Sequence, residues 1–187
     1  QPGNPAPLWS RGLGDVYKRQ IRFLLPIAPD AGLYLNTFII PLSLIAIIYI
    51  SFVAIAQQDM KKLIAYSSIA HMGFVTLGIF LVFNSLDQTP AIHGISHIGL
   101  QGAIMQMLSH GLISAGLFMC IGIINSRTKS RIIDQQSGIV QVMPLFSALM
   151  MFFLLSNSGL PGTSGFVGEF MVLISATNVN FFYAILA

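Results

Sequence analysis

Apolar residues in this chain come in long runs that short polar segments separate. The runs cover approximately residues 35–56, 60–83, 99–124, 140–156 and 166–187. Each is close to the length of about 20 residues that lets an α-helix cross a hydrocarbon core roughly 30 Å thick. The pattern therefore predicts an all-α fold, a polytopic transmembrane helix bundle with about five transmembrane helices.

The composition favours the same class of protein. Hydrophobic residues make up 55% of the 187 positions and charged residues only 8%, whereas soluble domains carry roughly a quarter charged residues. The formal charge of +3 comes from the first 22 residues and two short loops, which indicates membrane topology and not nucleic-acid binding. A single cysteine, Cys120, excludes an internal disulfide and argues against a thiolate metal site.

The first twenty residues differ from the rest of the chain. The sequence QPGNPAPLWSRGLGDVYKRQ is polar, rich in Gly and Pro, and has no apolar core of the kind found in a signal peptide. We predict that residues 1–20 are a non-native or disordered segment and that residues 21–187 form the membrane domain. We also expect the chain to be a fragment of a longer protein.

Basic residues occupy alternate loops of the predicted bundle. All lysines and arginines after Arg22 lie in residues 57–62 and 125–138, and none lies in residues 84–98. Residues 84–98 are predicted to be a loop, because the stretch NSLDQTPAIHGISHIG contains Pro90 and two glycines. The positive-inside rule predicts that the two basic loops face the cytoplasm or the mitochondrial matrix and that residues 84–98 face the other side. Asp59 is the predicted N-cap of the second span.

Polar interruptions break the last two apolar runs. One is the segment NSGLPGTSG, and the other lies near residues 177–180. Backbone without helical hydrogen bonds is tolerated at membrane depth only where protein or a water-filled cavity satisfies its polar groups. Each break therefore needs protein or a water-filled cavity around it.

Glu169 is the only glutamate in the chain and lies in the apolar sequence FVGEFMVLI. An acidic side chain at mid-membrane costs roughly 2.5 to 3.5 kcal/mol on insertion scales, so such residues usually face the bundle interior and mark an ion or proton path. We predict that Glu169 lies on a proton path. The alternative is a glutamate near a helix start that stabilises the positive end of the helix dipole.

The third span carries a polar stripe. Its members recur every four residues and so share one helix face; they are Gly102, Gln106, His110 and Ser114. The second span has a shorter stripe made of Ser67, Ser68 and His71.

If these two stripes face each other, His71 and His110 form part of a proton relay, because imidazoles titrate near neutral pH. Ordinary interhelical hydrogen bonds, worth roughly 0.6 kcal/mol each in membranes, explain the stripes equally well. Two histidines on facing helices are also compatible with an axially ligated haem in an electron carrier.

Three long motifs carry a family resemblance: AQQDMKKLIAYSSIAHMGFVTLGIF, GAIMQMLSHGLISAGLFMCIGII and LPGTSGFVGEFMVL. In this order and spacing they resemble the chain M or chain 4 family, the antiporter-like membrane subunits of proton-pumping NADH:quinone oxidoreductase (respiratory complex I). The resemblance covers residues 21–187. It implies an antiporter-like fold of which this chain holds about five helices, all in the second half, in a bacterial or mitochondrial inner membrane.

The resemblance also implies roles for residues. His71 in AHM and His110 in SHG match members of the family's central hydrophilic axis, and Glu169 in GEF matches the carboxylate on its second broken helix. The resemblance places the axis lysines before residue 21. It further implies a subunit that couples NADH oxidation by quinone to proton pumping, with other membrane-arm subunits and the lipid bilayer as partners.

NADH, FMN, iron–sulfur clusters and quinone are expected in partner subunits, since this chain has no glycine-rich phosphate loop and one cysteine. A subunit of a sodium/proton antiporter or of a membrane-bound hydrogenase remains an alternative, because these proteins share the fold. A purely structural membrane anchor is another.

Overall fold

The computed structural model describes residue 27, residues 29–84 and residues 90–187. The predicted N-terminal segment, residues 1–20, lies outside the described residues. Regular structure in the described part of the chain is helical, apart from one isolated bridge between two loops.

Seven α-helices are described: α1 (Pro29–Ile55), α2 (Met60–Asn84), α3 (Pro90–Thr128), α4 (Ile139–Val142), α5 (Pro144–Asn157), α6 (Ser164–Val179) and α7 (Phe181–Leu186). A 3₁₀ turn, Ile133–Gln135, lies between α3 and α4. The first three helices are long and apolar enough to cross a membrane. The predicted all-α membrane bundle is confirmed.

Helix α2 lies at the centre of the bundle, because it packs against α1, α3 and α6. Its side chains from Val75 to Phe83 make up most of the main core, together with Ile40 and Ile47 of α1 and Val172 of α6. The outer face of α1 exposes large apolar side chains such as Phe38 and Phe52. That distribution is typical of a helix whose outer face meets lipid.

Helices α5 and α6 lie one after the other along α3. Phe153 of α5 contacts α3 at Gly116, whereas Met171 and Ser175 of α6 contact it at Gly102 and Gly99. At 14 and 16 residues, each is about 21 to 24 Å long, less than the hydrocarbon core. The loop between them, residues 158–163, consequently lies against the middle of α3.

Helix α3 begins at Pro90, nine residues before the predicted third span, so residues 90–98 are helical and the prediction of a loop there is wrong. Proline suits the first position of a helix, where its missing N–H costs nothing. The nearby glycine that suggested a loop has a packing role instead. A Cβ on Gly99 would lie only 2.6 Å from Ser175 Oγ, so the small residue permits close contact between α3 and α6.

The ends of the later helices follow from individual residues. Pro144 keeps Met143 out of the helical conformation (φ −138°, ψ 72°), and Met143 separates α4 from α5. Gly159 and Gly162 have positive φ angles of 68° and 98° and turn the chain between α5 and α6. Asn180 is extended and separates α6 from α7, and its Oδ1 accepts the N–H of Phe182 at 3.0 Å.

The two basic loops lie side by side. The N–H of Met60 donates to Arg131 O at 3.1 Å, and the N–H of Ile133 donates to Gln58 O at 3.0 Å. The prediction that residues 57–62 and 125–138 face the same side is confirmed. Asp59 also caps α2 as predicted, since its Oδ1 accepts the N–H of Lys61 at 2.8 Å.

Candidate functional site

Glu169 lies in the second turn of α6, facing α2 and α3. Helix α6 begins at Ser164 and has no acidic residue in its first turn. A helix dipole acts mainly within that first turn, so the position of Glu169 does not favour the dipole alternative. The side chain is 18% exposed, and its polar contacts come from the two facing helices.

Two side chains converge on one oxygen of Glu169. His71 Nδ1 of α2 lies 2.8 Å from Glu169 Oε1, and Gln106 Nε2 of α3 donates to the same oxygen at 2.9 Å. Gln106 is 2% exposed, so the carboxylate fixes the orientation of its amide: the reverse orientation would place two acceptor oxygens together. Among the described residues, His71 and Glu169 make the only contact between an acidic and a basic side chain within ion-pair distance.

His110 lies beside His71, one helical turn after Gln106 on α3. The imidazole centroids of His71 and His110 are 5.6 Å apart, with the rings tilted by 46°. His110 Nε2 is buried and has no hydrogen-bond partner within the protein, and the same is true of Gln106 Oε1. The predicted stripes on the second and third spans therefore do face each other.

The four residues of this constellation, called the central cluster below, are His71, Gln106, His110 and Glu169. Glycines make its close packing possible. A Cβ on Gly168 would lie 2.8 Å from the backbone N of Gln106, and a Cβ on Gly159 would lie 2.8 Å from Glu169 Oε2. The loop between α5 and α6, which contains Gly159, thus brings backbone directly against the central cluster. The contact of α6 with α3 at Gly168 does the same.

The serines of the predicted stripes behave differently from one another. Ser67 Oγ accepts a hydrogen bond from Asn157 Nδ2 at 2.9 Å and so joins α2 to the end of α5. Ser114 donates to His110 O in its own helix at 2.6 Å. Ser68 is buried at 5% exposure and lines neither of the two cavities at the cluster. The structure therefore brings Ser67 to the site but not Ser68 or Ser114.

Two cavities meet at the central cluster. The smaller one, about 10 Å³, is lined by all four cluster residues together with Ile113, the end of α5 and the start of α6. The larger one is an open groove of about 490 Å³ between α1, α2 and the loop that follows α5. It reaches Ser51 and Phe74. His71, Asn157 and Glu169 line both, so they form the partition between the cavity and the groove.

The space between the two imidazoles does not fit a haem. The cavity that His71 and His110 share measures about 10 Å³, which suits about one water molecule, whereas pockets for cofactors measure roughly 300 Å³ or more. His71 also directs one ring nitrogen at Glu169. The haem interpretation is not supported by this arrangement.

Asn157 is a site residue that the sequence analysis did not single out. It stands at the end of α5, lines both cavities and bonds to Ser67. Polar residues before a Gly and Pro turn are usually explained by the turn itself. One feature of the sequence did indicate Asn157: the turn interrupts an apolar run at membrane depth, where its free backbone groups need polar partners.

Comparison with known proteins places this arrangement in a family. The family described as "NADH:quinone oxidoreductase/Mrp antiporter, TM" matches residues 19–187. The chain is 48% identical over 160 residues to NADH-ubiquinone oxidoreductase chain 4 of Chondrus crispus, covering 86% of this chain and 30% of that protein. It is 48% identical over 167 residues to NADH-quinone oxidoreductase subunit M of Rhodobacter capsulatus, covering 89% and 30%.

A third relative, chain 4 of Marchantia polymorpha, is 47% identical over 167 residues, covering 89% of this chain and 31% of that protein. The chain thus spans about 30% of the length of the curated relatives it matches. Its long apolar helices and these matches make it an integral membrane protein. The chain belongs to the NADH:quinone oxidoreductase/Mrp antiporter transmembrane family.

Proposed function

We propose that this chain is part of the proton-translocating membrane subunit of NADH:quinone oxidoreductase, which couples electron transfer from NADH to quinone to proton movement. The observation that carries the proposal is Glu169, a carboxylate inside an apolar bundle in contact with His71 and Gln106. The proposed reaction follows from the names of the relatives, NADH-quinone oxidoreductase subunit M and NADH-ubiquinone oxidoreductase chain 4.

The contact between His71 and Glu169 is the proposed proton-transfer step. Their atoms are 2.8 Å apart, within the range in which a proton passes directly between a base and an acid. A proton arriving on Glu169 can thus move to His71 Nδ1 without a change of helix packing. Gln106 donates to the carboxylate in either case and keeps it aligned with the imidazole.

His110 is the proposed next group on the path. It shares the 10 Å³ cavity with Gln106 and Glu169, and two buried polar atoms there, His110 Nε2 and Gln106 Oε1, lack protein partners. A water molecule needs about this much space and two to four polar partners. Water in the cavity would carry a proton between His110 and Glu169.

The groove on the other side of the partition is the proposed entry. It is polar where Ser67, Asn157 and Ser158 line it and reaches His71 and Glu169 directly. Protons entering there meet the partition residues before they reach His110. The groove and the cavity thus meet at one carboxylate, that of Glu169.

The proposal assigns the remaining chemistry to partner subunits. NADH, FMN, the iron–sulfur clusters and quinone would bind elsewhere in the complex, and the neighbours of this chain would be other membrane-arm subunits, among them antiporter-like ones. The membrane would be a bacterial inner membrane or the mitochondrial inner membrane. The chain would be an enzyme subunit without a redox centre of its own.

A second candidate function is sodium/proton antiport. The family description includes the Mrp antiporter, and the same carboxylate and imidazoles would serve proton exchange there. Transport that depends on sodium and proceeds without NADH would favour this candidate. Proton uptake driven by NADH in sodium-free medium would favour the oxidoreductase.

The test replaces Glu169 by glutamine in the full-length protein and measures NADH-driven proton uptake by membrane vesicles. The matched control is Asp134→Asn, which removes an exposed carboxylate in a loop. We expect Glu169→Gln to assemble and to oxidise NADH with an artificial acceptor, but to lose most of its quinone-linked turnover and proton uptake, with a measurable residual rate. Undiminished proton uptake would leave Glu169 with a purely structural role and contradict the proposal.

A further inference from the structure

All the lysines and arginines of the described residues lie on one surface. They are Lys61, Lys62, Arg127, Lys129 and Arg131. We call this set the basic platform. Lys61 and Lys62 belong to the first turn of α2, Arg127 to the last turn of α3, and the other two to the loop that follows.

Backbone hydrogen bonds hold the two parts of the basic platform together. Met60 N–H donates to Arg131 O at 3.1 Å, so the residue before Lys61 is bonded to a platform residue of the other loop. An antiparallel bridge pairs Asp59 with Ile132. Charges that lie about 70 positions apart in sequence are therefore neighbours in space.

The loop that carries Lys129 and Arg131 is internally bonded. Gln136 Nε2 donates to Thr128 Oγ1 at 3.1 Å and to Ser130 O at 3.2 Å, and Ser130 Oγ donates to Gln135 Oε1. Lys129 adopts a left-handed conformation (φ 57°) directly after α3. These bonds keep the arginine and the lysine on an ordered turn.

The platform cations are not neutralised by ion pairs with the described residues. Within the described part of the chain, none of the five forms an ion pair, since the only pair is that of His71 with Glu169. Asp59 uses Oδ1 to cap α2, accepting the N–H groups of Lys61 and Lys62 at 2.8 and 3.4 Å. The nearby Asp134 is exposed. Five cations therefore face two carboxylates, which leaves a strong positive field.

Exposed apolar side chains surround the basic platform, and they favour an anion that carries apolar tails. Ile132 and Ile133 are 42% and 39% exposed, and Val140 and Val142 of the following segment are 66% and 78% exposed. Helices α2 and α3, which are long and apolar enough to cross a membrane, begin and end respectively at this surface. Exposed aliphatic side chains beside cations at a membrane boundary suit a ligand with an anionic head and apolar tails.

We propose that the basic platform binds the phosphate headgroup of an anionic phospholipid, whose acyl chains lie along the adjacent apolar residues. The lipid phosphate accepts hydrogen bonds from lysine and arginine, and Ile132 with Ile133 contact the start of the acyl chains. This site is separate from the central cluster and does not depend on proton translocation. A free phosphate shares the headgroup chemistry but gains nothing from the apolar residues.

The experiment uses the purified complex with the full-length protein, reconstituted into phosphatidylcholine vesicles that contain a photoreactive phosphatidylglycerol. Cross-links within peptides covering residues 57–62 and 127–136 are measured against lipid concentration. Each cation near the membrane surface is worth about fivefold in affinity. We therefore expect Lys61→Gln with Lys62→Gln to weaken cross-linking about 25-fold, and Arg131→Gln alone about fivefold.

The matched control is Asp134→Asn, which removes a negative charge from the same loop and is expected to preserve or raise the affinity. Excess phosphatidylglycerol should compete with the probe, whereas inorganic phosphate at the same concentration should not. Unchanged affinity in both cation variants, which would leave the lysines a role in topology alone, contradicts the proposal. Equal competition by inorganic phosphate would overturn it in favour of a free-anion site.

Discussion

Replacement of Gly102 by alanine tests whether the close contact of α3 with α6 holds the central cluster in place. A Cβ on Gly102 would lie 2.8 Å from Met171 Cβ and 2.9 Å from Gly168 O, where ordinary contact begins at 3.4 Å. The obstructing atoms include backbone, which cannot turn aside as a flexible side chain can. The two helices must therefore separate by about 0.5 Å, and overpacking of this kind costs about 1–3 kcal/mol.

That separation acts on the hydrogen bond from Gln106 to Glu169. Gln106 lies one turn after Gly102 on the same helix, and its bond of 2.9 Å would lengthen to about 3.4 Å, beyond the usual N–H···O range. A hydrogen bond to a charged group contributes about 1.5–3 kcal/mol. If the variant loses half of about 1.5 kcal/mol of stabilisation in the proton-transfer step, the rate of proton transfer falls roughly threefold. If it loses all of that stabilisation, the rate falls roughly tenfold.

The assay combines thermal unfolding of the detergent-purified complex with NADH-driven proton uptake in vesicles. The matched control is Gly122→Ala in the same helix, where an added Cβ meets nothing within 4 Å. We expect Gly102→Ala to lower both the unfolding temperature and proton uptake, and Gly122→Ala to leave both unchanged or to raise stability slightly, as alanine favours helix. Equal behaviour of the two variants would refute the argument from packing.

Three further predictions concern single contacts. Ser67→Ala and Asn157→Ala should each lower the free energy of unfolding. In a double-mutant cycle, the double variant should lose about 0.6 kcal/mol less than the sum of the two single losses. Full additivity would show that the hydrogen bond between the two side chains is not formed. Asp59→Ala should lower the free energy of unfolding by about 1 kcal/mol through loss of the α2 cap, which urea titration measures. Gly159→Ala should reduce proton uptake, because its Cβ would meet Glu169 Oε2 at 2.8 Å and φ is positive; normal uptake would contradict this.

The sequence predicted the site best where its chemistry is rare. A lone glutamate in an apolar run and polar residues every four positions can be found without a structure, and Glu169, Gln106 and both intramembrane histidines do lie together. The period of the stripe fixes a helix face, and adjacent antiparallel helices bring such faces together. Those inferences depend on the cost of a carboxylate in an apolar run and on helix geometry.

The sequence could not predict how individual hydroxyl and amide groups bond. Ser114 follows the stripe, yet it donates to the carbonyl four residues earlier, a local option that any helical serine has. Asn157 looked like a turn residue, and its bond to Ser67 spans 90 positions. Such partners depend on how α5 ends against α2, which no local pattern contains.

The start of α3 was predicted wrongly because of its proline and glycines. Residues 90–98 were predicted as a loop because proline and glycine usually interrupt helices, but α3 begins at Pro90. The cost of a glycine in a helix, about 1 kcal/mol relative to alanine, is offset here by close packing of Gly99 on Ser175. Only the tertiary contact shows which effect dominates.

The most direct test of the central claim, that His71 and Glu169 act as one unit in proton transfer, is a double-mutant cycle on proton uptake. His71→Gln, Glu169→Gln and the double variant are compared in vesicles with equal amounts of assembled complex. If protons pass across the 2.8 Å contact, the double variant should be no slower than Glu169→Gln alone. Effects of the two substitutions that multiply would show that the residues act independently and would contradict the account.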